Sequence, residues 1–187
     1  VVGLSVSGVS AAWVAQARDD VDEVFLLAPF FGPTVVPDLL TPPLAAALVR
    51  LPNRFMWWNP KLRENLPGPP TNYPRFATRP LGEVMRLGLS VSETANPVRV
   101  RRLGVVLTAG DPAVNNSRTL RIVREWEEIS PGVEFFIYTF PRSSRIPHDF
   151  IDPLQEGAQI DKVYPLLLDW LTRPVAPVSD ASDAGQM

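Results

Sequence analysis

Two continuous apolar runs constrain the fold of this chain more than any other feature. They are Val24–Ala28 (VFLLA) and Leu103–Ala109 (LGVVLTA). Apolar residues do not alternate with polar ones in either run, so each predicts a strand buried on both faces, as in a parallel sheet covered by helices. A shorter apolar run at Val1–Leu4 and a helical segment at Val9–Arg18 precede the first of them. Strand, helix and strand in this order form one βαβ unit, whose crossover should be right-handed.

The same alternation resumes in the second half of the chain. An amphipathic helix is expected at Ser117–Ile129, a strand at Val133–Phe140 and a last helix at about Gln159–Arg173. We therefore predict an α/β fold with a mostly parallel sheet and flanking helices.

Residues 33–97 have a different composition, with twelve of the 21 prolines. Proline at this density disfavours long helices and central strands, so only short pieces such as Leu44–Leu51 and Leu81–Leu89 are expected to be helical. Linkers seldom contain so many large aromatic residues, so we interpret the segment as an insertion that lies over the core. The predicted organisation is a core of residues 1–32 and 98–173, this mostly helical insertion, and a disordered tail at 174–187.

The composition excludes several kinds of chemistry. The chain has no Cys and one His, His148, which excludes disulfides, thiolate nucleophiles, Cys-ligated metals and multi-His metal sites. We expect neither a metal nor a cofactor. Any mechanism that needs an imidazole base must use His148.

The overall charge and hydropathy limit the partners. The net charge of −2 provides no electrostatic reason to expect nucleic acid or an anionic membrane. The longest apolar run, Val24–Pro37, is interrupted by Pro29, Gly32 and Pro33 and is shorter than the ~20 residues of a membrane span. The expected partner is a small molecule, with no nucleic acid and no transmembrane segment. The absence of Cys is compatible with the cytoplasm, the expected location, and the oligomeric state is left open.

A glycine-rich segment, Gly3–Gly8 (GLSVSG), lies between the first predicted strand and the first predicted helix. A nucleophile elbow needs this context: a serine in a tight turn, with small residues two positions away on each side. Ser5 would lie near the positive end of the helix dipole, and the backbone N–H of Val6 would face an oxyanion. Ser7 replaces the second flanking glycine. Such a turn can also be purely structural.

The order of the polar residues supports the elbow. Asp111 follows the predicted strand at Leu103–Ala109, and His148 lies in the loop after the next strand. Because the carboxyl ends of parallel strands meet at one edge of a sheet, these residues and Ser5 are expected to converge. Ser5 would attack an acyl carbon, His148 would take and return the proton, and Asp111 would orient the imidazole and stabilise its protonated form.

Each residue of this triad also has a simpler interpretation. A lone His in a loop is more often a surface residue, and Asp-Pro at the end of a strand is commonly a turn. Asp38, Asp149 and Asp152 compete with Asp111 for the role of the acid. Asp149 is adjacent to His148 and therefore poorly placed to orient its ring.

Four stretches together resemble a known family: Val1–Gly8, Val24–Pro29, Val106–Asn116 (VLTAGDPAVNN) and Ile146–Pro153 (IPHDFIDP). They resemble the C-terminal part of α/β-hydrolase fold enzymes of the carboxylesterase, lipase and serine-aminopeptidase-like type. The resemblance implies a serine hydrolase that cleaves a carboxylic ester through an acyl-enzyme on Ser5. It also implies that residues 33–97 are a cap or lid. Five aromatic residues of that cap could then line an acyl pocket or simply pack on the core: Phe55, Trp57, Trp58, Tyr73 and Phe76.

The resemblance begins at the nucleophile elbow. By that comparison, on the order of 100 residues, including the earlier strands and the loop with the second oxyanion donor, would precede residue 1. A peptidase, acyltransferase, C–C hydrolase or haloperoxidase could use the same residues. The alternative from another class is a catalytically incompetent fragment or a non-catalytic binding module, because one missing oxyanion donor costs about 10²–10³-fold in turnover.

Overall fold

The computed structural model describes residues 1–65, 73–93 and 96–174. Within these residues, six strands and five α-helices follow one another along the chain. They are β1 (Val2–Leu4), α1 (Val6–Ala17), β2 (Glu23–Leu27), α2 (Thr41–Arg50), β3 (Phe55–Trp57), β4 (Arg75–Ala77), α3 (Thr78–Glu93), β5 (Arg102–Thr108), α4 (Asn116–Ile129), β6 (Glu134–Phe140) and α5 (Ile160–Thr172).

The central sheet has four strands in the order β1-β2-β5-β6, and every neighbouring pair is parallel. Every residue of β5 is buried, as its unbroken apolar run predicts for a strand covered on both faces. Gly104 in this strand permits close packing of α5, because a Cβ there would lie 2.5 Å from the Trp170 ring. The predicted α/β class and mostly parallel sheet are confirmed.

Helix α1 begins earlier than the sequence suggests. The expected start was Val9, but the helix begins at Val6, directly after Ser5. Glycine has a low intrinsic helix propensity, which favours a turn at Gly8 when only local sequence is considered. Tertiary packing overrides that preference: a Cβ on Gly8 would lie 3.0 Å from the Cα of Pro29, so the bare backbone lets α1 lie close to the end of β2.

Residues 33–97 contain a longer helix than the sequence predicts. Helix α3 has 16 residues, and its Pro80 lies in the first turn, where a missing N–H breaks no helical hydrogen bond. The apolar residues Met85 and Leu89 of α3 lie in the same core cluster as Val9 of α1. Strands β3 and β4 form a separate antiparallel pair.

The division into a core at residues 1–32 and 98–173 and a cap at residues 33–97 remains a prediction. The expected tail at 174–187 lies outside the described residues, apart from Pro174. No helix in the described part of the chain is both long and apolar enough to cross a membrane.

Candidate active site

Ser5 occupies the turn between β1 and α1 in a rare backbone conformation. Its φ is 54° and its ψ is −115°, which costs a residue with a side chain about 1–3 kcal/mol. Three backbone hydrogen bonds hold this conformation. The Ser5 N–H donates to Leu27 O (2.8 Å), and the Ser5 carbonyl accepts from Gly8 N (3.0 Å) and Phe30 N (2.9 Å). The sheet and the following loop therefore impose the turn on Ser5.

The residues on each side of Ser5 permit this tight turn. A Cβ on Gly3 would lie 2.3 Å from the Ser7 carbonyl oxygen, so glycine is required there. Ser7, which replaces the second flanking glycine, is exposed. Its Oγ accepts from Leu4 N (2.9 Å) and donates to Leu4 O (2.8 Å). The Ser7 side chain thus stabilises the end of β1 from the solvent side.

The predicted oxyanion donor, the backbone N–H of Val6, lies at the start of α1. Val6 is the first residue of α1, and the first four N–H groups of a helix have no acceptor within the helix. These groups also lie at the positive end of the helix dipole, where an anion is stabilised.

Asp111 and His148 form a hydrogen-bonded, partly buried pair. His148 Nδ1 lies 2.6 Å from Asp111 Oδ2, and the Asp111 side chain is fully buried while that of His148 is 17% exposed. The other carboxylate oxygen of Asp111 accepts from the backbone N–H groups of Ala113 (2.8 Å) and Val114 (3.2 Å). The carboxylate is therefore held in one orientation, with one oxygen directed at the imidazole.

The pKa of His148 reflects this environment. Burial lowers it, but the hydrogen bond and negative charge of Asp111, together with the charge of Asp149, outweigh burial and raise the pKa above its ordinary value. The imidazolium is stabilised in the way that a base requires at the moment it holds a serine proton.

The competing carboxylates at Asp38 and Asp152 have other partners. Asp38 forms a salt bridge with Arg121 and accepts a hydrogen bond from Asn115 Nδ2 (3.3 Å). Asp152 Oδ1 accepts from Leu154 N (2.8 Å). Asp149 acts on His148 through its charge. Among these carboxylates, Asp111 is the one that the structure places in hydrogen bond with the His148 ring.

Strands β1, β5 and β6 lie in one parallel sheet, with β2 between β1 and β5. The carboxyl end of each of these three strands is followed by one residue of the predicted triad: Ser5 after β1, Asp111 after β5 and His148 after β6. The three residues thus share one edge of the sheet. No hydrogen bond joins the Ser5 hydroxyl to the His148 ring among the described contacts. Nucleophile-to-base hydrogen bonds are often long before substrate binds.

The five aromatic residues assigned to an acyl pocket lie on or beside the β3–β4 hairpin. Trp58 packs on Phe76 with ring centroids 4.3 Å apart, and Arg75 lies 5.0 Å from the centre of the Trp57 ring. None of the five belongs to the main core cluster or packs against it, which disfavours simple core packing. Their role toward a substrate remains a prediction.

Sequence reasoning missed the residues that support the acid loop. Thr34 N donates to Ala113 O (3.2 Å), and Thr34 Oγ1 donates to Val114 O (2.7 Å). On the base side, Thr108 Oγ1 donates to Ile146 O (3.1 Å), close to His148 in the chain. The identity of a single threonine provides no sequence signal for such a contact. The described residues contain no group of three His, Cys, Asp or Glu side chains arranged to hold a metal ion.

Comparisons with known proteins identify the fold. No protein-family model and no curated protein matches the chain. The structure is similar to that of a monoacylglycerol lipase from Paleococcus ferrophilus, with a TM-score of 0.64 and 17% identity over 91% of this chain. It is also similar to a soluble variant of monoglyceride lipase from Saccharomyces cerevisiae (TM-score 0.63, 15% identity, 91% of this chain) and to an alpha/beta hydrolase from Penicillium sp. sh18 (0.55, 16%, 94%).

This chain spans 66%, 61% and 63% of the lengths of those three chains, respectively. At such low identities the similarity establishes the fold. The chain has the α/β-hydrolase fold, as its sequence motifs indicated.

Proposed function

We propose that this chain contains the catalytic residues of a serine hydrolase that cleaves a carboxylic ester. The observation that carries the proposal is the 2.6 Å contact between His148 Nδ1 and the buried Asp111 carboxylate, at the sheet edge that also holds the strained Ser5 turn. The similar solved structures include a monoacylglycerol lipase and a monoglyceride lipase, and ester cleavage is the reaction class that these names share.

The proposed reaction proceeds in two halves. Ser5 Oγ attacks the ester carbonyl carbon while its proton passes to His148 Nε2, and Asp111 stabilises the resulting imidazolium. The Val6 N–H donates to the oxyanion of the tetrahedral intermediate. Cleavage of the C–O bond releases the alcohol, which takes the proton from His148 and leaves an acyl group on Ser5. Water then attacks the acyl carbon, His148 takes its proton and returns it to Ser5, and the carboxylic acid leaves.

A non-catalytic binding domain with the same fold is the second candidate. It is favoured by the absence of a hydrogen bond between the Ser5 hydroxyl and the His148 ring among the described contacts. Such a domain would keep the Asp111–His148 pair as a structural hydrogen bond and would not activate Ser5.

A fluorophosphonate probe separates the two candidates, because it reacts with a serine that an adjacent base activates. We expect stoichiometric labelling of the chain, with the adduct on Ser5 by peptide mass mapping. Ser5→Ala should abolish labelling. Ser10→Ala should leave it unchanged, since Ser10 is an exposed serine of α1.

Three results would contradict the hydrolase proposal. They are an unlabelled chain with native far-ultraviolet circular dichroism, an adduct on another serine, and labelling that survives Ser5→Ala. Hydrolysis of a p-nitrophenyl ester that disappears in Ser5→Ala would add turnover to the labelling result.

A further inference from the structure

The charge of the chain is concentrated in one segment. Between Arg50 and Arg79 the sequence has six Lys or Arg residues and one acidic residue, Glu64, which gives this segment a net charge of +5. The whole chain has a net charge of −2, so the remainder has −7. All six cationic side chains lie on exposed residues, and none of them forms a salt bridge among the described residues.

The same segment exposes large apolar side chains. Phe55 is 68% exposed, Tyr73 84%, Trp58 53% and Met56 52%. Concentrated exposure of this kind marks an interaction site more often than a scatter of single apolar residues does. We call the described residues 50–65 and 73–79 the basic hairpin.

The geometry of the basic hairpin indicates how it meets a partner. In the antiparallel pairing, Phe55 lies opposite Ala77, and Met56 lies opposite Phe76. Because successive side chains of a strand point to opposite faces, Phe55 and Met56 lie on different faces of the hairpin. Both residues are more than half exposed, so each face presents apolar surface. A rigid partner protein would cover one such face, whereas a lipid interface surrounds both.

We propose that the basic hairpin docks on an anionic lipid bilayer. Aromatic side chains favour the level of the head groups, where their apolar rings and polar edges are both satisfied. Exposed cations gain about 1 kcal/mol each near an anionic leaflet. Nucleic acid fits less well, because Met56 provides no stacking platform for bases.

Co-sedimentation with lipid vesicles tests the proposal on the intact chain. We expect binding to mixed phosphatidylcholine–phosphatidylserine vesicles and much weaker binding to pure phosphatidylcholine vesicles. Arg54→Gln/Lys61→Gln should weaken partitioning roughly 30-fold, at about fivefold for each cation removed. The matched control is Arg124→Gln/Lys162→Gln, which removes the same charges from exposed residues of α4 and α5 and should bind like the unmodified chain.

A second pair of variants tests the apolar contribution at constant charge. Phe55→Ser/Tyr73→Ser should reduce partitioning at least tenfold, while Trp13→Ser, at a 47% exposed position on α1, should not. Ser5→Ala should bind vesicles normally, so this test is independent of the hydrolase proposal. Circular dichroism verifies that each variant is folded.

Several results would overturn the proposal. One is failure of the folded chain to bind mixed vesicles, and another is equal binding to neutral vesicles. A third is an equal effect of the hairpin variants and their controls. Binding to a single-stranded oligonucleotide without vesicle binding would show that nucleic acid is the partner instead.

Discussion

The substitution Asp111→Asn tests the candidate site most directly, because the structure determines how an asparagine must orient. One carboxylate oxygen of Asp111 accepts from two backbone N–H groups, those of Ala113 (2.8 Å) and Val114 (3.2 Å). In the variant, the amide oxygen must take this position, since an NH₂ group there would face two donors. The NH₂ group then points to His148 Nδ1, which has to accept. The ring proton moves to Nε2, and Nε2–H cannot take a proton from Ser5.

The expected loss of catalytic activity in Asp111→Asn is large. The wrong tautomer in a Ser-His-Asp triad costs on the order of 10⁴ in kcat, or about 5.5 kcal/mol in activation free energy. The pKa of His148 should fall at the same time. Burial, which lowers this pKa, remains in the variant, while the hydrogen bond and charge of Asp111, which raise it, are lost.

The same shift predicts how stability depends on pH. In the folded chain the pKa of His148 is raised, so the folded state binds its proton more tightly than the unfolded state, whose pKa is about 6.5. The resulting stabilisation is fully present below the unfolded pKa and is lost as the pH rises through the folded pKa. The free energy of unfolding of the unmodified chain should therefore exceed that of Asp111→Asn by more at about pH 5 than at about pH 9. These two pH values lie on either side of the range in which His titrates.

The assay uses the fact that the chain has one histidine. An NMR titration of ¹⁵N-histidine-labelled protein reports the pKa and tautomer of His148 without assignment, alongside kcat for a p-nitrophenyl ester. Asp152→Asn is the control, because Asp152 Oδ1 accepts from a local backbone N–H. An unchanged or higher pKa of His148 in Asp111→Asn would refute the reasoning, and so would a kcat within tenfold of the unmodified chain. The titration needs no turnover, so it tests the pair even in an inactive protein.

Two further predictions concern stability, measured by chemical denaturation. Gly3→Ala should lower the free energy of unfolding by about 3 kcal/mol or more. The Cβ that alanine introduces would lie 2.3 Å from the backbone carbonyl oxygen of Ser7 and would clash with it. Gly132→Ala, at a positive φ with no atom within 4 Å, should cost only about 1–2 kcal/mol, and equal costs would contradict the close-approach explanation. Arg102→Met should cost about 1.5–3 kcal/mol, because the buried guanidinium donates hydrogen bonds to carbonyls at the end of α5 and pairs with two carboxylates. Arg101→Met removes an exposed ion pair and should change stability by less than about 1 kcal/mol.

Much of the fold could be predicted because its signals are local. The runs at Val24–Ala28 and Leu103–Ala109 became β2 and β5, shifted by one residue, since burial on both faces requires unbroken apolar sequence. The start of α1 could not be predicted in this way. It depends on the contact between Gly8 and Pro29, residues that are distant in the chain.

The candidate site could likewise be predicted from the sequence only in part. Placement of Ser5, Asp111 and His148 after strands followed from the sequence pattern, because a parallel sheet brings carboxyl ends to one edge. The same pattern favoured Asp111 as the acid but did not exclude Asp38, Asp149 and Asp152, because local sequence does not show which carboxylate reaches the His148 ring. The net charge of the whole chain was also a poor predictor of how its charge is distributed. A value of −2 for the chain conceals the segment of +5, and only burial shows that its cations and aromatic rings are exposed together.

The sequence by itself determined the α/β alternation, the position of the serine turn and the identity of the one available imidazole. These depend on residue type and on spacing along a single element. Only the tertiary structure decided that Asp111 is the partner of His148, 37 positions away, and that the β3–β4 hairpin stands apart from the core. Hydrogen bonds and burial of this kind depend on strand order and on the path of loops between strands, and neither is encoded in any short stretch of the chain.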